Sequence, residues 1–252
     1  MNDLLVQKDV FSEDENQDTQ NIILKYFPKA LFLSDDDIYI KRKYEGQESR
    51  LLRGSLSLAQ KLRKNLNWTN ALNWMPELKN FALSYDYKFL DLNEILAREK
   101  NWPLFVRPAS GMKEFSGNVY SREKLMEEAA FLVSNKNVNT SLICLYASPR
   151  PLNREWRVVF VNGEVSSGCQ YMVKGKKEVS SDFPEEVVKY AIEISQHEFF
   201  LNKFEYVIDI GESNEGLRLI EINAFETASF YASDLHKIYS DWAGSYKNVC
   251  MY

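Results

Sequence analysis

The sequence predicts an α+β protein in which antiparallel hairpins alternate with single helices. The apolar runs Glu155–Val161 and Val165–Val173 are joined by Asn162-Gly163, the dipeptide most typical of a two-residue hairpin turn. Two more strand-like runs, Tyr206–Ile210 and Leu217–Asn223, are joined by a loop bounded by glycines. This order differs from the β-α-β alternation of a doubly wound sheet. The chain contains neither a G-x-G-x-x-G nor a G-x-x-x-x-G-K-[ST] motif, so dinucleotide and Walker-type phosphate sites are set aside.

The first twenty residues predict a disordered acidic tail. They carry six acidic residues and one basic residue, and they show no sustained apolar period. The net charge of the whole chain is -5, which equals the charge of this segment, so the remaining residues balance at 30 acidic and 30 basic side chains. Because no broadly basic surface is indicated, a nucleic-acid partner is disfavoured.

Length and composition predict a globular chain of one large or two small domains. No apolar run reaches the roughly 18 to 20 residues of a membrane span, and the N-terminus lacks the layout of a signal peptide. These observations predict a cytoplasmic protein without membrane contact. The odd number and wide spacing of Cys144, Cys169 and Cys250 argue against a structural disulfide or a thiolate zinc site.

Residues 21–95 are predicted to form a small N-terminal α/β region. Within it, leucines recur at every fourth position behind a serine that could cap a helix. This helix is indicated by Leu58, Leu62 and Leu66 behind Ser55 or Ser57. The surrounding segment, residues 41–64, is the most basic part of the chain, and a solvated helix face is the simplest interpretation of it.

Beyond residue 95 strands and helices follow each other in short segments. Leu104–Arg107 and Leu142–Tyr146 are short apolar strands, and Ser121 and Pro184 each precede a predicted helix. The apolar spacing in these helices predicts their buried faces. The predicted buried residues are Leu125, Ala129, Leu132 and Val133 in the first helix, and Val187, Ala191 and Ile194 in the second.

The second hairpin predicts a cluster of acidic side chains. Because side chains alternate along a strand, Glu221 and Asn223 project from the same face. Antiparallel pairing then places Asp209 opposite a residue near Glu221, at about 5 Å. Two carboxylates at that spacing repel each other unless a proton or a cation lies between them. Oxygen ligands without imidazole or thiolate select a hard ion such as Mg2+, so we expect a metal site here; an ordinary solvent-facing hairpin is the alternative.

A loop after the strand Leu104–Arg107 has the composition of a phosphate cover. The strand ends in Arg107, and Lys113 adds a second cation within the loop. Small residues let backbone N–H groups approach an anion closely. Those residues are Ser110, Gly111, Ser116 and Gly117. A loop of this composition can equally occur without any ligand.

Together these segments resemble the ATP-grasp superfamily of carboxylate-amine ligases. The resemblance covers roughly residues 100–235 and combines an E-[WY]-R strand with an E-x-N strand end preceded by an acid. The segments that carry it are Phe105–Pro108, Gly111–Gly117, Glu155–Val159, Asp209, Glu221–Asn223 and Ala224–Tyr231. The sequence looks most like the short bacterial and phage members, with Arg107 where most ATP-grasp enzymes have a nucleotide-binding lysine. The expected fold has two α+β lobes that clamp a nucleotide, at about residues 96–147 and 148–252.

The resemblance also implies roles for individual residues. Asp209, Glu221 and Asn223 would hold one or two Mg2+ ions, and Arg157 would face the γ-phosphate and the acyl group. Arg107 and Lys113 would contact the phosphates of ATP while the glycine loop closes over them. The adenine hinge would be formed by Leu145, Tyr146 and Ala147.

The implied reaction is an ATP-dependent ligation. A substrate carboxylate attacks the γ-phosphate to give an acylphosphate, and an amine then opens the acylphosphate to an amide. Phosphoryl transfer is helped mainly by positioning and charge stabilisation, so no nucleophilic side chain is required. The carboxylate and the amine remain unidentified, and the N-terminal region is implied to contact the carboxylate. A non-catalytic nucleotide-binding or docking module is the second hypothesis, and a nucleic-acid protein using residues 41–64 is the third.

Overall fold

The computed structural model divides into two compact units. Unit 1 comprises Met1–Asn65 with Leu152–Tyr252, and unit 2 comprises Leu66–Pro151. The residues that the structure describes are 4–8, 10, 17–40, 44, 46, 51–136 and 141–249. Among them no helix combines the length and the apolar character that a membrane span requires.

The helices and strands of both units are short. The strands are β1 (Leu4–Gln7), β2 (Leu31–Leu33), β3 (Leu51–Arg53), β4 (Lys88–Asp91), β5 (Leu104–Pro108), β6 (Asn118–Tyr120), β7 (Ile143–Ala147), β8 (Arg154–Val161), β9 (Glu164–Val173), β10 (Lys176–Ser180), β11 (Tyr206–Ser213) and β12 (Gly216–Ala224). The α-helices are α1 (Gln17–Tyr26), α2 (Leu56–Lys61), α3 (Ala71–Trp74), α4 (Leu92–Arg98), α5 (Arg122–Lys136), α6 (Glu185–Ser195) and α7 (Leu235–Val249). Short helical turns lie at Asp36–Ile40, Asn67–Thr69, Glu198–Phe200 and Phe225–Thr227.

Unit 1 contains two sheets. The first is parallel with the order β2-β1-β3, and the second is antiparallel with the order β10-β9-β8-β11-β12. The β8–β9 hairpin turns at Asn162 and Gly163, whose φ angles of 55° and 75° are the left-handed values that a two-residue turn requires. The β11–β12 strands extend to Ser213 and Gly216, so their turn is shorter than the predicted loop. The predicted α+β class with antiparallel hairpins is confirmed.

One hydrophobic core joins both sheets of unit 1. It includes Leu4 of the parallel sheet, Val159 and Val207 of the antiparallel sheet, and Trp242 of α7. Helix α6 packs against strands of the same antiparallel sheet. Its three predicted face residues, Val187, Ala191 and Ile194, are fully buried.

The predicted disordered tail is wrong at Leu4–Gln7. This segment is β1, the central strand of the parallel sheet, and all four of its side chains are buried. A strand of four residues is too short to show a period in the sequence, yet pairing on both sides satisfies its backbone. Helix α1 also begins inside the predicted tail, at Gln17. The remaining tail residues 1–3 and 11–16 lie outside the described residues.

The predicted basic surface is wrong at Arg53, which is fully buried at the end of β3. The Ser55 Oγ atom caps α2 by accepting the N–H of Leu58, as expected. The helix ends at Lys61, so Leu66 lies beyond it. The remaining bases of the early part of this segment, Lys41, Arg42, Lys43 and Arg50, lie outside the described residues.

Unit 2 is built on a four-stranded antiparallel sheet with the order β4-β7-β5-β6. Val106 of β5 and Tyr146 of β7 belong to one buried cluster with residues of α4 and α5. Three of the four predicted face residues of α5 are buried, but Val133 is 51% exposed. The burial at Leu125, Ala129 and Leu132 shows that the covered stripe of α5 is narrower than predicted.

The compact units begin and end at other points than the predicted regions. The sequence predicts boundaries near residues 95 and 147, whereas the units divide after Asn65 and Pro151. Strand β4 pairs with β7, which assigns the segment before residue 95 to unit 2. The N-terminal sheet shares its core with strands of the second half of the chain, so it belongs to unit 1.

Candidate active site

A buried ion pair lies at the centre of the antiparallel sheet of unit 1. The Arg157 Nε and Nη2 atoms each donate to one Asp209 oxygen at 2.8 Å. Arg157 is 7% exposed and Asp209 is 2% exposed. Burial opposes the charge of Arg157, but the Asp209 carboxylate outweighs burial and raises the pKa of the guanidinium. A two-point contact of this kind fixes the orientation of both side chains.

The strand register brings three of the predicted site residues together. Asp209 lies opposite Arg157 on β8 and opposite Glu221 on β12, the cross-strand pairing that the sequence predicts. The β11–β12 register shifts just after Asp209, between Asp209 and Ile210. Residues that are directly opposite in an antiparallel pair share one face of the sheet. Arg157, Asp209 and Glu221 therefore share a face.

Asn223 completes this group and decides how a cation could bind. Its Nδ2 atom donates to Asp209 Oδ2 at 3.1 Å, so its Oδ1 atom is the one that could ligate a cation. Two carboxylates and one carboxamide are a donor set that suits Mg2+, which takes oxygen ligands and keeps positions for phosphate and water. Within the described residues, no group of three or more His, Cys, Asp or Glu side chains could hold a metal ion. A metal here would thus depend on Asn223 and on oxygens of a ligand.

Glu155 and two tyrosines extend the cluster beyond the predicted residues. The Tyr171 hydroxyl donates to Glu155 Oε2 at 2.7 Å. The Tyr171 and Tyr231 rings stack with centroids 5.4 Å apart, and the Arg157 guanidinium lies 5.5 Å and 4.9 Å from their centroids. Burial raises the pKa of the Glu155 carboxyl, the Tyr171 hydrogen bond lowers it in part, and the charge on Asp209 adds to the rise. Strand alternation from Arg157 already indicates Glu155; no local pattern indicates that Tyr231 returns to it.

In unit 2, the predicted phosphate loop is held mainly by its own side chains. The Ser110 Oγ atom lies 2.8 Å and 2.6 Å from the two Glu114 carboxylate oxygens, to which it donates. The N–H of Met112 donates back to Ser110 Oγ at 3.2 Å. Lys113 is exposed and has a positive φ of 53°. Ser116 and Gly117 are also exposed, so this part of the loop is open to solvent.

The two glycines of the loop have a structural use. The Gly111 N–H donates to Asn70 Oδ1 at 2.6 Å, and a Cβ at this position would lie 2.9 Å from Thr69 Oγ1. A Cβ at Gly117 would lie 3.0 Å from the Arg107 Cβ. Both positions therefore exclude larger side chains. A phosphate could receive the Gly111 N–H only after the Asn70 contact opened.

The predicted adenine hinge lies inside a strand, not after it. Leu145, Tyr146 and Ala147 are all buried residues of β7. Leu145 lies opposite Arg107 on the neighbouring strand, so these two residues share a face of the sheet. Tyr146 belongs to the core on the helical side, and its hydroxyl donates to Glu99 Oε1 at 2.7 Å. Only Ala147 stands at the strand end from which a hinge could continue.

The fold and these residues define an ATP-grasp domain. A family model for an ATP-grasp domain, described as family 2 of its clade, matches residues 87–240, more than half of the 252 residues. The chain belongs to this family. The predicted resemblance to the ATP-grasp superfamily is thereby confirmed.

Solved structures agree with this fold over nearly the whole chain. The D-cycloserine synthetase DcsG has a TM-score of 0.59 at 13% identity and covers 97% of this chain and 99% of its own. The D-alanine–D-alanine ligase from Bacillus anthracis complexed with ATP has a TM-score of 0.54 at 13% identity, with coverages of 97% and 95%. A RiPP-associated ATP-grasp ligase from Chryseobacterium gregarium, in complex with ADP and a leader and core peptide, has a TM-score of 0.52 at 12% identity, with coverages of 99% and 97%. No curated protein sequence matches the chain significantly.

Proposed function

We propose that the chain is an ATP-dependent ligase that joins a carboxylate to an amine through an acylphosphate, with Mg2+ as the metal. The observation that carries the proposal is the shared face of Arg157, Asp209 and Glu221 in a chain of the ATP-grasp family. A buried arginine beside two carboxylates supplies both signs of charge that a metal-bound triphosphate requires. The ATP and ADP complexes of the similar ligases support the nucleotide.

The metal would be held by Asp209, Glu221 and Asn223. When bound, Mg2+ supplies charge neutralisation for the phosphate oxygens of the nucleotide. Arg157 holds both Asp209 oxygens in the absence of ligand, which keeps the carboxylate oriented and limits its repulsion with Glu221. Under this proposal, Arg157 contacts the transferred phosphoryl group while Asp209 turns part of its coordination to the metal.

The reaction has two balanced steps. A substrate carboxylate oxygen bonds to the γ-phosphorus while the bond from that phosphorus to the leaving oxygen of ADP breaks. The amine nitrogen then bonds to the acyl carbon, the bond from that carbon to the phosphate oxygen breaks, and the amine loses a proton. The role of Arg157 is to stabilise charge on the transferred group, because phosphoryl transfer depends chiefly on positioning and electrostatics.

The unit 2 residues would bind the nucleotide. Arg107 and Lys113 would contact phosphates, and the loop with Ser110, Gly111, Ser116 and Gly117 would close over them. Leu145 and Ala147 lie opposite Arg107 and Phe105, on one face of the sheet, so that face could receive a base while Arg107 reaches the phosphates. Tyr146 would contribute only backbone atoms, since its side chain packs in the core.

The substrate class is narrowed by the similar ligases. Two of them are named for D-amino-acid products or analogues, and one holds a leader and core peptide. We therefore propose an amino-acid or peptide carboxylate and an amine of the same class. The choice between a small molecule and a macromolecule is left to the assay.

The test is a product screen. Purified protein with Mg-ATP is incubated with pooled amino acids, amines and peptides, and ADP and phosphate release are followed while mass spectrometry detects products formed with loss of water. We expect ADP release that depends on one pool and that falls at least about a hundredfold in Arg157→Ala, as for loss of a charge-stabilising donor. The control is Arg154→Ala, whose side chain pairs with Glu212 in the same sheet. Nucleotide binding without turnover on any pool would favour the non-catalytic module, and turnover unchanged in Arg157→Ala would contradict the proposed role.

A further inference from the structure

The loop that leaves β12 is held by two arginines from different strands. This segment, the exit loop, comprises residues 225–231. The Arg53 Nη1 atom donates to the carbonyl oxygens of Phe225 at 2.8 Å and Ala228 at 2.7 Å. The Arg157 Nη1 atom donates to the carbonyl oxygen of Ser229 at 2.9 Å. Three carbonyls of one short loop therefore accept hydrogen bonds from guanidinium groups.

Arg53 is anchored as firmly as any charged side chain among the described residues. It is fully buried, and its guanidinium carbon lies 3.8 Å from the centroid of the Phe230 ring, also in the exit loop. The neighbouring Gly54 N–H donates to the Glu226 carbonyl oxygen at 3.0 Å. Thus the end of β3 contacts the exit loop through backbone, side-chain and ring contacts at once.

The charges around Arg53 belong to the same loop. Burial raises the pKa of the Glu226 carboxyl, while Lys64 and Arg53 lower it in part. Burial lowers the pKa of Lys64, and the charge on Glu226 opposes that change. The exit loop is therefore enclosed by a compact set of charged groups from three segments of unit 1.

A fully buried arginine is a costly way to hold a loop. Burying a guanidinium removes its hydration, and well-packed apolar residues often stabilise a protein as well or better. Directional hydrogen bonds to two carbonyls offer what apolar packing does not, a defined path for the backbone between them. The residues placed by that path are Ser229 and Tyr231, which both contact Arg157.

We infer that Arg53 is a positioning residue for Arg157: it fixes the exit loop so that the Ser229 carbonyl and the Tyr231 ring orient the buried guanidinium. This inference rests on the proposed function, in which Arg157 contacts the transferred phosphoryl group. In the sequence, Arg53 is one of several bases in a basic segment and has no distinguishing pattern around it. Its burial and its contacts with the exit loop separate it from those bases.

The test compares Arg53→Met and Arg53→Lys with a matched control. Methionine keeps an unbranched side chain but donates no hydrogen bond, and lysine keeps the charge and one donating nitrogen. The control is Arg154→Met, the same replacement at a residue whose guanidinium pairs with Glu212 and Asp182. Hydrogen exchange of the exit loop is measured without ligand, and turnover is measured with Mg-ATP and the substrates found in the product screen.

We expect Arg53→Met to raise the exchange rate of the exit loop at least about tenfold and to lower kcat about tenfold or more, because small displacements at a reacting centre have large kinetic effects. The KM for Mg-ATP should change by less than about threefold. Arg53→Lys should recover part of both losses, and Arg154→Met should cause neither. A purely structural role would lower the fraction of folded protein without the split between kcat and KM.

The two proposals fail in different ways. If wild-type protein shows no turnover on any pool, the proposed ligase function fails, and exchange of the exit loop alone decides the role of Arg53. Unchanged exchange in Arg53→Met, or an equal effect in Arg154→Met, would overturn the inference even if the ligase reaction is found. If Arg53→Met does not fold, the comparison of Arg53→Lys with wild type decides in its place.

Discussion

In unit 1 the Arg157 guanidinium and the Asp209 carboxylate are buried and joined by two hydrogen bonds of 2.8 Å, whereas in unit 2 Lys113 is exposed on a loop whose contacts are mostly local. The first pair is placed by the register of three neighbouring strands. The second depends on Ser110, Glu114 and one contact with Asn70. Strand register gives preorganised side chains, and a loop of small residues can rearrange around a ligand. We therefore expect charge stabilisation to come from unit 1 and adaptation to the nucleotide from unit 2.

The largest expected effect is on the buried pair of unit 1. Asp209→Asn leaves Arg157 buried without its counter-charge, and we expect the free energy of unfolding to fall by about 3 to 5 kcal/mol. Urea denaturation measures this loss. The matched control is Glu212→Gln in the same strand, whose partner Arg154 is 37% exposed, and there a change of less than about 1 kcal/mol is expected. Equal losses in the two variants would remove the contrast between buried and exposed pairs.

The second effect concerns the close packing of the unit 2 loop. Gly111→Ala introduces a Cβ 2.9 Å from Thr69 Oγ1 and 3.0 Å from Asn70 Oδ1, so the loop must shift. We expect thermal unfolding to show a loss of about 1 to 3 kcal/mol, together with a higher KM for Mg-ATP. Gly244→Ala in α7 is the control, because a Cβ there has no heavy atom within 4 Å and alanine favours a helix. A loop that tolerates Gly111→Ala without loss of stability or binding would show that its present conformation is not required.

The third prediction uses pH to separate the two units. Burial, and then the charge on Glu226, raise the pKa of Glu205 in unit 1 to about 7. In unit 2, burial would raise the pKa of Asp86, but hydrogen bonds from Arg150 and Ser148 outweigh it and lower that pKa. The stabilising contribution of the protonated Glu205 is complete below about pH 4.5 and is lost as the pH rises through about 7, because the folded state binds the proton more tightly.

Urea denaturation across this range measures the pH effect. We expect Glu205→Gln to gain about 1 to 2 kcal/mol over wild type between pH 5 and pH 8. Some slope should remain in the variant, since burial also raises the pKa values of Glu155 and Glu226. Parallel curves for wild type and Glu205→Gln would mean that Glu205 titrates normally in the folded protein.

The smallest expected effect is at the end of the predicted hinge. Asp86 accepts the Ser148 N–H at 3.2 Å and an Arg150 N–H at 2.7 Å, and Arg150 also lies over the Tyr85 ring at 4.0 Å. Because the pair is partly exposed, Asp86→Asn should cost only about 0.2 to 1 kcal/mol of stability. We expect the KM for ATP to rise a few-fold with kcat nearly unchanged, as measured by steady-state kinetics. A fall in kcat instead would place Asp86 closer to the chemistry than to the nucleotide base.

Patterns of short range were the most predictable from the sequence. The Asn162-Gly163 turn and the Asp209–Glu221 pairing follow from local residues and from strand alternation. The buried stripe of α6 follows from helical spacing, because one face of that helix meets a sheet. These features depend on few contacts distant in sequence, so a pattern of several residues predicts them.

Features created by distant contacts were not predictable in the same way. The strand Leu4–Gln7 is recognisable only once β2 and β3 pair with it, and the burial of Arg53 depends on carbonyls more than 170 positions away. Tyr231 reaches Arg157 because the exit loop returns across the sheet, which no pattern in the residues 224–231 specifies. Val133 has the spacing of a core residue but meets no covering element in the described residues and is 51% exposed.

The contrast between the units rests on one central claim, that the carboxylates of unit 1 bind a metal together with ATP. Thermal unfolding of wild type and Glu221→Gln, with ATP, Mg2+ or both, tests it most directly, and Glu215→Gln at the turn of the same hairpin is the control. At a ligand concentration about 100 times Kd, binding should add about 2.7 kcal/mol of stability. We predict that wild type and Glu215→Gln are stabilised only when both components are present, and that this stabilisation is lost in Glu221→Gln. No stabilisation of wild type by millimolar Mg-ATP, or equal stabilisation in Glu221→Gln, would contradict the claim.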